Sequence, residues 1–342
     1  MTDPAPTPHR RRVRYRGKNP RRFEDKYKEH APEKYPDTVA KVVASGKTPA
    51  GMHRPIMVRE ILEILAPQPG KIALDCTLGY GGHANEILPL LQPGGRLIGL
   101  DVDPIEQPKT EARLRAAGFG EDVFTVRRSN FAGLPKVLAA EGLTGVDYLL
   151  ADLGVSSMQL DTPERGFSVK TPGPLDMRMN PHKGQSAAAL LAQITASQLA
   201  ELLEENADEP RAAILAPQLA GRVLAKTTEL AQAIRAALPN LPEEERDKTV
   251  RRVFQALRIA VNEEFTALDT FLKHLPHGLN PGGRVVILTF HSGEDRRVKK
   301  AFQAAKWAGL FSAISDDVVR PSAAECGANP RATSTKLRWA QR

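Results

Sequence analysis

Cysteine is scarce in this sequence, and long apolar runs are missing from it. Two cysteines, Cys76 and Cys326, occur among 342 residues, and they lie far apart in unlike contexts. We therefore expect neither a disulfide framework nor a zinc site, and a reducing cytoplasm suits the chain. No stretch reaches eighteen apolar residues, which argues against a membrane-spanning helix. The polar, basic first 22 residues do not have the pattern of a secretory signal peptide.

Positive charge is concentrated at the start of the chain. The formal net charge is +8. Residues 1–50 hold 13 Lys and Arg against 6 Asp and Glu, whereas the remaining 292 residues hold 35 against 34. We predict a disordered basic arm over residues 1–50. Such an arm could bind a polyanion, of which RNA is the obvious one, or serve only as a solvated tail.

Short apolar segments alternate with amphipathic ones from residue 56 onward. The alternation predicts a mostly parallel, doubly wound, Rossmann-like α/β sheet. In such sheets ligands bind at the carboxyl ends of the strands, so an acid at a strand end is a candidate site residue. Three predicted strands carry such an acid, namely Asp75, Asp101 and Asp152. The predicted strands cover residues 71–76, 96–101, 123–126, 146–152 and 284–290.

The alternation breaks after the fourth predicted strand. A loop rich in Gly, Pro, Asp and Arg spans residues 156–184, and helical patterns without strands follow it. Loops of that length in compact domains are usually functional or disordered. We predict that residues 156–248 form an inserted loop and helical substrate-recognition domain. The sheet domain would then consist of residues 51–155 and 249–342.

One long helix is predicted directly after the insertion. Apolar residues recur at spacings of three and four from Val250 to Leu272. That spacing places them on a single face of a helix. We therefore expect one continuous helix over this segment.

A glycine-rich turn follows the first predicted strand. It reads Asp-Cys-Thr-Leu-Gly-Tyr-Gly-Gly-His over residues 75–83 and leads into a predicted helix. Glycine allows a tight turn and a close approach of the backbone to a ligand. Asp101 ends the next strand, where a carboxylate accepts hydrogen bonds from a ribose diol. A nucleoside-containing cofactor is expected, although a purely structural turn stays open.

Two cofactors fit this turn. Gly79, Gly81 and Ala84 satisfy the loose dinucleotide pattern G-x-G-x-x-G/A, which would indicate an NAD-dependent dehydrogenase. Asp75, four positions before the first glycine, is instead typical of S-adenosylmethionine-dependent methyltransferases. The bulky His83 also stands where a pyrophosphate needs open amides at the helix N-terminus. These two features favour S-adenosylmethionine.

Three longer motifs carry a resemblance to a known family. They are DLGVSSMQLD at residues 152–161, RGFS at 165–168 and GPLDMRM at 173–179. In this order they closely resemble the MraW family, also called ribosomal RNA small subunit methyltransferase H, and further matching pieces extend over roughly residues 52–340. A few positions depart from the usual family pattern, none of them a proposed cofactor contact. These positions are Met158, Lys248, Thr249, Gly293 and Thr333.

The resemblance implies a fold, a reaction and a cofactor site. The fold would be a class I S-adenosylmethionine-dependent methyltransferase sheet with an inserted all-helical domain. The reaction would be methylation of the N4 amine of a cytidine in the decoding centre of 16S rRNA, within the small ribosomal subunit; a weak homodimer stays open. No metal is expected, because the sulfonium already activates the methyl group. The implied cofactor contacts are Gly81, Gly82, His83, Asp101, Phe131, Asp152 and Gln159.

A second set of residues is assigned to the chemistry. Asp152 stands where amino-methyltransferases bind the amine, and acceptors beside an amine can take its proton. We expect the loop with Ser156 and Ser157 to complete that pocket. His291 and His53 could each face the substrate, or could be histidines satisfied within the fold.

Basic residues outside the arm are candidates for RNA contact. Arg178 could bind RNA, or it could form a structural ion pair with Asp176. The bases near the C-terminus have no acid among them, which favours RNA contacts for Arg331, Lys336 and Arg338. A non-catalytic RNA-binding assembly factor that kept the fold is an alternative to an active enzyme.

Overall fold

The structure is a computed structural model that describes residues 55–342. The predicted basic arm and His53 lie outside the described residues. Within the described range, no helix is long and apolar enough to cross a bilayer.

Seven strands form one sheet in the order β3-β2-β1-β4-β5-β7-β6. The first five strands along the chain run parallel, whereas β7 is antiparallel to both β5 and β6. This arrangement confirms the predicted Rossmann-like α/β class. The strands are β1 (Ile72–Asp75), β2 (Arg96–Asp101), β3 (Phe124–Arg128), β4 (Val146–Asp152), β5 (Leu279–Thr289), β6 (Ala313–Ile314) and β7 (Lys336–Gln341).

The central strands are apolar almost throughout because helices cover both faces of the sheet. Successive side chains of a strand point to opposite faces. Leu149 accordingly packs in one core cluster with Ile98, while its neighbour Leu150 packs in the other with Leu97. All four side chains are essentially inaccessible to solvent. Burial on both faces therefore fixes the sheet at the centre of the domain.

Helices of the sheet domain flank these strands. The early ones are short, and β3 and β5 are each bordered by a 3₁₀ turn, at Phe131–Gly133 and Leu275–Gly278. The helices are α1 (Val58–Leu65), α2 (Gly82–Ile87), α3 (Glu106–Ala116), α4 (Leu134–Ala140), α11 (Glu264–His274), α12 (Ser292–Trp307) and α13 (Ala323–Ala328). Further 3₁₀ turns lie at Leu88–Leu91, Pro163–Arg165 and Pro330–Ser334.

The segment between β4 and α11 is helical and has its own core. Leu191, Leu203, Leu215 and Leu230 come from four of its helices and are fully buried in one apolar cluster. The inserted part of the fold is therefore all-helical, as predicted. Its helices are α5 (Ser157–Asp161), α6 (Ala187–Gln193), α7 (Ala196–Ala207), α8 (Ala212–Leu219), α9 (Thr227–Ala237) and α10 (Glu243–Val261).

The prediction of one helix from Val250 to Leu272 is wrong. The helix stops at Val261, and Glu263 adopts a left-handed backbone with φ of 51°. Asn262 supports the break, because its side-chain amide donates to the Met177 and Arg258 carbonyls at 2.8 Å. The apolar spacing continues across the break even though the two helices face different cores.

That break bears on the end of the inserted unit, which stays a prediction at residue 248. Val253 and Leu257 of α10 pack in the core of the helical unit, whereas Leu268 and Phe271 of α11 pack against the sheet. The side chains thus change cores at the break, not at residue 248. We propose that the inserted unit instead ends after Val261.

Candidate functional site

Three acids meet at the carboxyl edge of the sheet. Asp75, Asp101 and Asp152 end β1, β2 and β4, which are neighbouring strands. Asp75 is 2% exposed, and burial raises its pKa to about 6. Its Oδ1 accepts the Thr77 N–H at 3.0 Å. Charges this close together in a poorly hydrated place raise one another's pKa, so the edge favours positively charged or proton-donating ligands.

The glycine-rich turn holds the second of these acids in place. The Gly79 N–H donates to Asp101 Oδ2 at 2.9 Å, and the Asp103 N–H donates to Asp101 Oδ1 at 2.8 Å. Burial raises the pKa of Asp101 to about 6 despite these two donors. Each carboxylate oxygen has a second lone pair. The Asp101 side chain, which the two N–H groups orient, can therefore still accept a hydrogen bond from a hydroxyl group.

Two glycines of the turn are closely packed. Gly81 has φ of 78°, and a Cβ there would lie 2.9 Å from Thr110 Cγ2. A Cβ on Gly82 would lie 3.1 Å from the Pro55 ring. Both contacts are with the protein itself, which keeps the turn packed between α3 and the segment before α1.

His83 and Asp152 face each other beside this turn. His83 Nε2 lies 2.9 Å from the Ile56 carbonyl oxygen, which can only accept, so Nε2 carries the proton and Nδ1 is an acceptor. Nδ1 lies 3.8 Å from Asp152 Oδ2, too far for a direct hydrogen bond. Burial lowers the pKa of His83, which keeps the ring neutral.

Asp152 offers an oxygen that the rest of the described chain does not use. Its backbone N–H donates to Thr77 Oγ1 at 2.7 Å, which fixes the end of β4. Its side chain is 29% exposed, but its Oδ1 is buried and has no hydrogen-bond partner among residues 55–342. Burial, with the negative charge of Glu294, raises the pKa of Asp152 to about 7. Oδ1 of this partly exposed side chain is therefore suited to accept a hydrogen bond from an N–H group of a ligand.

Gln159 and the serines form the start of a short helix. Ser156 Oγ accepts the Gln159 N–H at 3.2 Å, and Gln159 Oε1 accepts the Ser156 N–H at 3.0 Å. This reciprocal capping box begins α5, in which Ser157 is the first residue. Gln159 Nε2 donates to Asp103 Oδ2 at 3.0 Å. Both the oxygen and the nitrogen of the Gln159 side-chain amide therefore already have hydrogen-bond partners within the protein.

The sequence analysis missed a buried ion pair next to this helix. Arg165 Nη1 lies 2.7 Å from Asp103 Oδ2, and both side chains are less than a tenth exposed. The other guanidinium nitrogen donates to the carbonyls of Arg178 and Met179. Asp103 also accepts the Ile105 N–H at 2.9 Å, at the start of α3. The pair thus attaches the inserted loop to the strand end that carries Asp101.

Comparison with known proteins establishes the family of this chain. The model of the MraW methylase family matches residues 50–342. The chain belongs to the MraW methylase family. It is 53% identical over 341 residues to ribosomal RNA small subunit methyltransferase H 1 of Lachnoclostridium phytofermentans, covering 97% of this chain and 93% of that protein. It is 44% identical to ribosomal RNA small subunit methyltransferase H of Anaeromyxobacter sp. strain Fw109-5, covering 84% and 96%.

Membership of the MraW methylase family confirms the resemblance and identifies the chain as a methyltransferase. The dehydrogenase alternative is thereby set aside. Among the solved structures that resemble the chain, TrmN from Thermus thermophilus is 13% identical with a TM-score of 0.39, covering 84% of this chain and 48% of that one. Nothing about the chemistry transfers at that similarity.

Phe131 and His291 border the acidic edge in this methylase fold. Phe131 packs at a tilt on Phe271, with ring centroids 5.3 Å apart. His291 Nε2 lies 3.2 Å from Glu294 Oε1, within ion-pair distance, but neither ring nitrogen has a partner in hydrogen-bonding geometry within the described range. Burial alone would raise the pKa of Glu294, but His291 and Arg258 outweigh it, and the pKa is lowered. His291 therefore lies beside the Glu294 carboxylate with both ring nitrogens open to a hydrogen-bond partner.

The expected RNA contacts of the C-terminal bases need correction. Arg338 is 5% exposed, and its Nε lies 2.7 Å from Asp295 Oδ1. Lys336 Nζ lies 3.1 Å from the other oxygen of Asp295. A buried, paired guanidinium cannot reach RNA, so the prediction is wrong for Arg338. The acid comes from α12, far away in sequence, which is why the local pattern did not reveal it.

The two remaining arginines are also paired, although they stay accessible. Arg331 Nη2 lies 2.7 Å from Asp161 Oδ1, and both side chains are more than a third exposed. Arg178 binds Asp176 through two nitrogens, at 2.8 and 2.7 Å. The Arg178 side chain is 24% exposed. The geometry favours the structural ion pair for Arg178, and RNA contact by Arg331 stays a prediction.

Among residues 55–342, no group of three or more His, Cys, Asp or Glu could hold a metal ion. Cys76 is buried next to Asp75, and burial raises the pKa of its thiol well above the ordinary value. A thiol in that state is a poor nucleophile. Cys76 is therefore not a candidate nucleophile of the site.

Proposed function

We propose that this methylase transfers a methyl group from S-adenosylmethionine to the N4 amine of a cytidine in the decoding centre of 16S rRNA. The curated relatives are named as methyltransferases of small-subunit ribosomal RNA, which supports the substrate class. The observation that carries the proposal is the buried, unpartnered Oδ1 of Asp152 at the carboxyl edge. An amine that must be aligned and then deprotonated suits this acceptor.

The residues at this edge fit S-adenosylmethionine. Asp101 is aimed by two backbone N–H groups and keeps lone pairs for a ribose diol. The turn with Gly81, Gly82 and His83 follows β1, and Phe131 follows β3, the two strands on either side of β2, which ends at Asp101. We assign the cofactor to these residues. When bound, it supplies a methyl group that its sulfonium already activates.

The chain's own residues then have to align the amine and receive its proton. The cytosine amine is a poor nucleophile because its lone pair is delocalised into the ring. A hydrogen bond from the amine N–H to Asp152 Oδ1 would draw electron density toward the nitrogen. With a pKa raised to about 7, Asp152 is basic enough to take the proton near neutral pH. Alignment of reacting groups contributes roughly 7–11 kcal/mol in favourable cases.

His83 supports this role of Asp152. Its Nδ1 lies 3.8 Å from Asp152 Oδ2, and burial keeps its ring neutral. The neutral ring adds no positive charge that would make Asp152 less basic. Asp152 is therefore our catalytic assignment. His291, which lies beside Glu294, is assigned to the substrate side.

The test is methyl transfer from labelled S-adenosylmethionine to unmodified small ribosomal subunits, followed by digestion to nucleosides. Label in N4-methylcytidine supports cofactor, substrate and target atom together. Label in another nucleoside keeps the methyltransferase and rejects the N4 assignment. No label, with cofactor still bound, favours the non-catalytic assembly factor. Asp152→Asn should lose most of the activity, while Asp176→Asn, a carboxyl of the inserted loop, serves as the matched control.

A further inference from the structure

A shallow groove lies at the far end of α12 from the acidic edge. It has a volume of about 220 Å³ and is lined in part by one face of that helix and by the strand β6. Four lining residues lie on the same face of α12, because each is three or four positions from another of the set. They are Lys299, Gln303, Lys306 and Trp307. Trp307 lies about 20 Å along the helix axis from Glu294.

Trp307 is exposed to an unusual degree for its size. Its relative exposure is 87%, whereas the other tryptophan, Trp339, is partly buried in the sheet. An indole normally covers a large apolar area when it packs. Nothing in residues 55–342 covers this one, so its ring is available to stack on a planar group.

The charge beside the indole is positive. Lys299 is exposed and forms no ion pair within the described part of the chain. Lys306 donates to the Ser312 carbonyl through one of its three N–H groups and keeps the others. Arg338 also lines the groove, but Asp295 neutralises its charge. Asp316 is the one acid among the lining residues. The face of α12 is thus cationic around an exposed aromatic ring.

We propose that this groove is a second RNA contact, in which an unpaired base stacks on Trp307 while Lys299 and Lys306 bind the adjoining phosphates. The inference rests on the proposed RNA substrate. Protein interfaces are depleted of lysine at their centre, whereas single-stranded nucleic acid sites combine cations with stacking aromatics. The distance from the acidic edge means that the groove binds RNA other than the target nucleotide.

Tryptophan fluorescence tests the contact directly. Trp339→Phe leaves Trp307 as the sole indole of the chain, and Trp307→Phe leaves Trp339. Titration with unmodified 16S rRNA should quench the emission of the first variant and leave that of the second unchanged. RNA binding without any change in Trp307 emission would overturn the proposal.

Binding measurements supply the magnitude. Loss of one base stack in Trp307→Ala should weaken RNA binding by about 5-fold or more. Lys299→Ala with Lys306→Ala should lower the slope of log affinity against log salt by about 1.4, since each phosphate contact in single strands contributes roughly 0.7. Lys273→Ala is the matched control, because Lys273 is an exposed lysine on the adjacent helix α11 and lies outside the groove.

Methylation of small ribosomal subunits separates this inference from the proposed function. The groove variants should raise KM for the subunit and leave kcat and the Kd of S-adenosylmethionine as they are. If the parent chain methylates its RNA while the groove variants behave like the Lys273 control, the second contact is rejected and the function stands. If the parent methylates no RNA, the proposed function fails first. A change of oligomeric state in Trp307→Ala would instead identify a protein interface and reject the RNA assignment.

Discussion

Replacement of Asp152 by asparagine should stabilise this protein at alkaline pH while it removes activity. The folded pKa of Asp152 is about 7, compared with 3.8 for a free side chain. Between these values the folded protein holds a proton that the unfolded chain has lost, so stability falls as pH rises. Each pH unit in that window costs about 1.4 kcal/mol. Above about pH 8 the folded protein has lost the proton too, and the loss of stability levels off.

The size of the stability change follows from the pH range between the unfolded and folded pKa values of Asp152. From pH 5.5 to pH 7 the parent should lose up to about 2 kcal/mol through this one carboxyl. Asparagine does not ionise, so the advantage of the variant should grow by that amount over the same interval and then stay constant. The contribution of Asp101 is common to both proteins and cancels in the difference. The charge of Asp152 helps to raise the pKa of Asp75, so its removal should lower that pKa and add to the advantage of the variant in the same direction.

Urea unfolding of both proteins at pH 5.5, 7 and 8.5 measures this difference. Asp176→Asn is a control of opposite sign, because hydrogen bonds and charge from Arg178 outweigh burial and lower the pKa of Asp176. That variant should be less stable than the parent by a constant amount at these three pH values, and the deficit should shrink only below about pH 4, where the carboxyl of the unfolded chain becomes protonated. A stability difference for Asp152→Asn that is flat between pH 5.5 and 8.5 would refute a poorly hydrated Asp152.

Three further predictions follow from the same contacts. The single-turnover rate of methyl transfer should rise with pH through about 7, because the ionised form of Asp152 accepts the proton; a rate independent of pH between 6 and 8 would contradict that role. Asp101→Ala should weaken S-adenosylmethionine binding by about 1–3 kcal/mol in calorimetry, the cost of a ribose hydroxyl without its partner; an unchanged Kd would remove Asp101 from the cofactor site. Arg165→Ala should lower the free energy of unfolding by about 3–5 kcal/mol, because it leaves the Asp103 carboxylate buried and unpaired. Arg165→Lys should cost less, and equal losses in both variants would argue against the charge as the cause.

Much of the fold could be predicted from local pattern. The strands ending at Asp101 and Asp152 have the residues 96–101 and 146–152 that their apolar runs indicate. A strand that is buried on both faces needs a nearly continuous apolar segment, and a sheet of parallel strands must bring their carboxyl ends to one edge. The three acids of the candidate site were therefore found from the sequence, and the glycine-rich turn was found with them.

Contacts between distant segments could not be predicted in that way. Asp295 neutralises Arg338 from another element, and Arg165 reaches Asp103 across 62 positions. The helix break at Asn262 likewise depends on a carbonyl of the inserted loop. Apolar spacing reports which side of a segment is buried, but it does not say which core receives it. Ion-pair partners, the division between the two cores and the unpartnered oxygen of Asp152 depend on the tertiary structure, because each is a property of groups that only folding brings together.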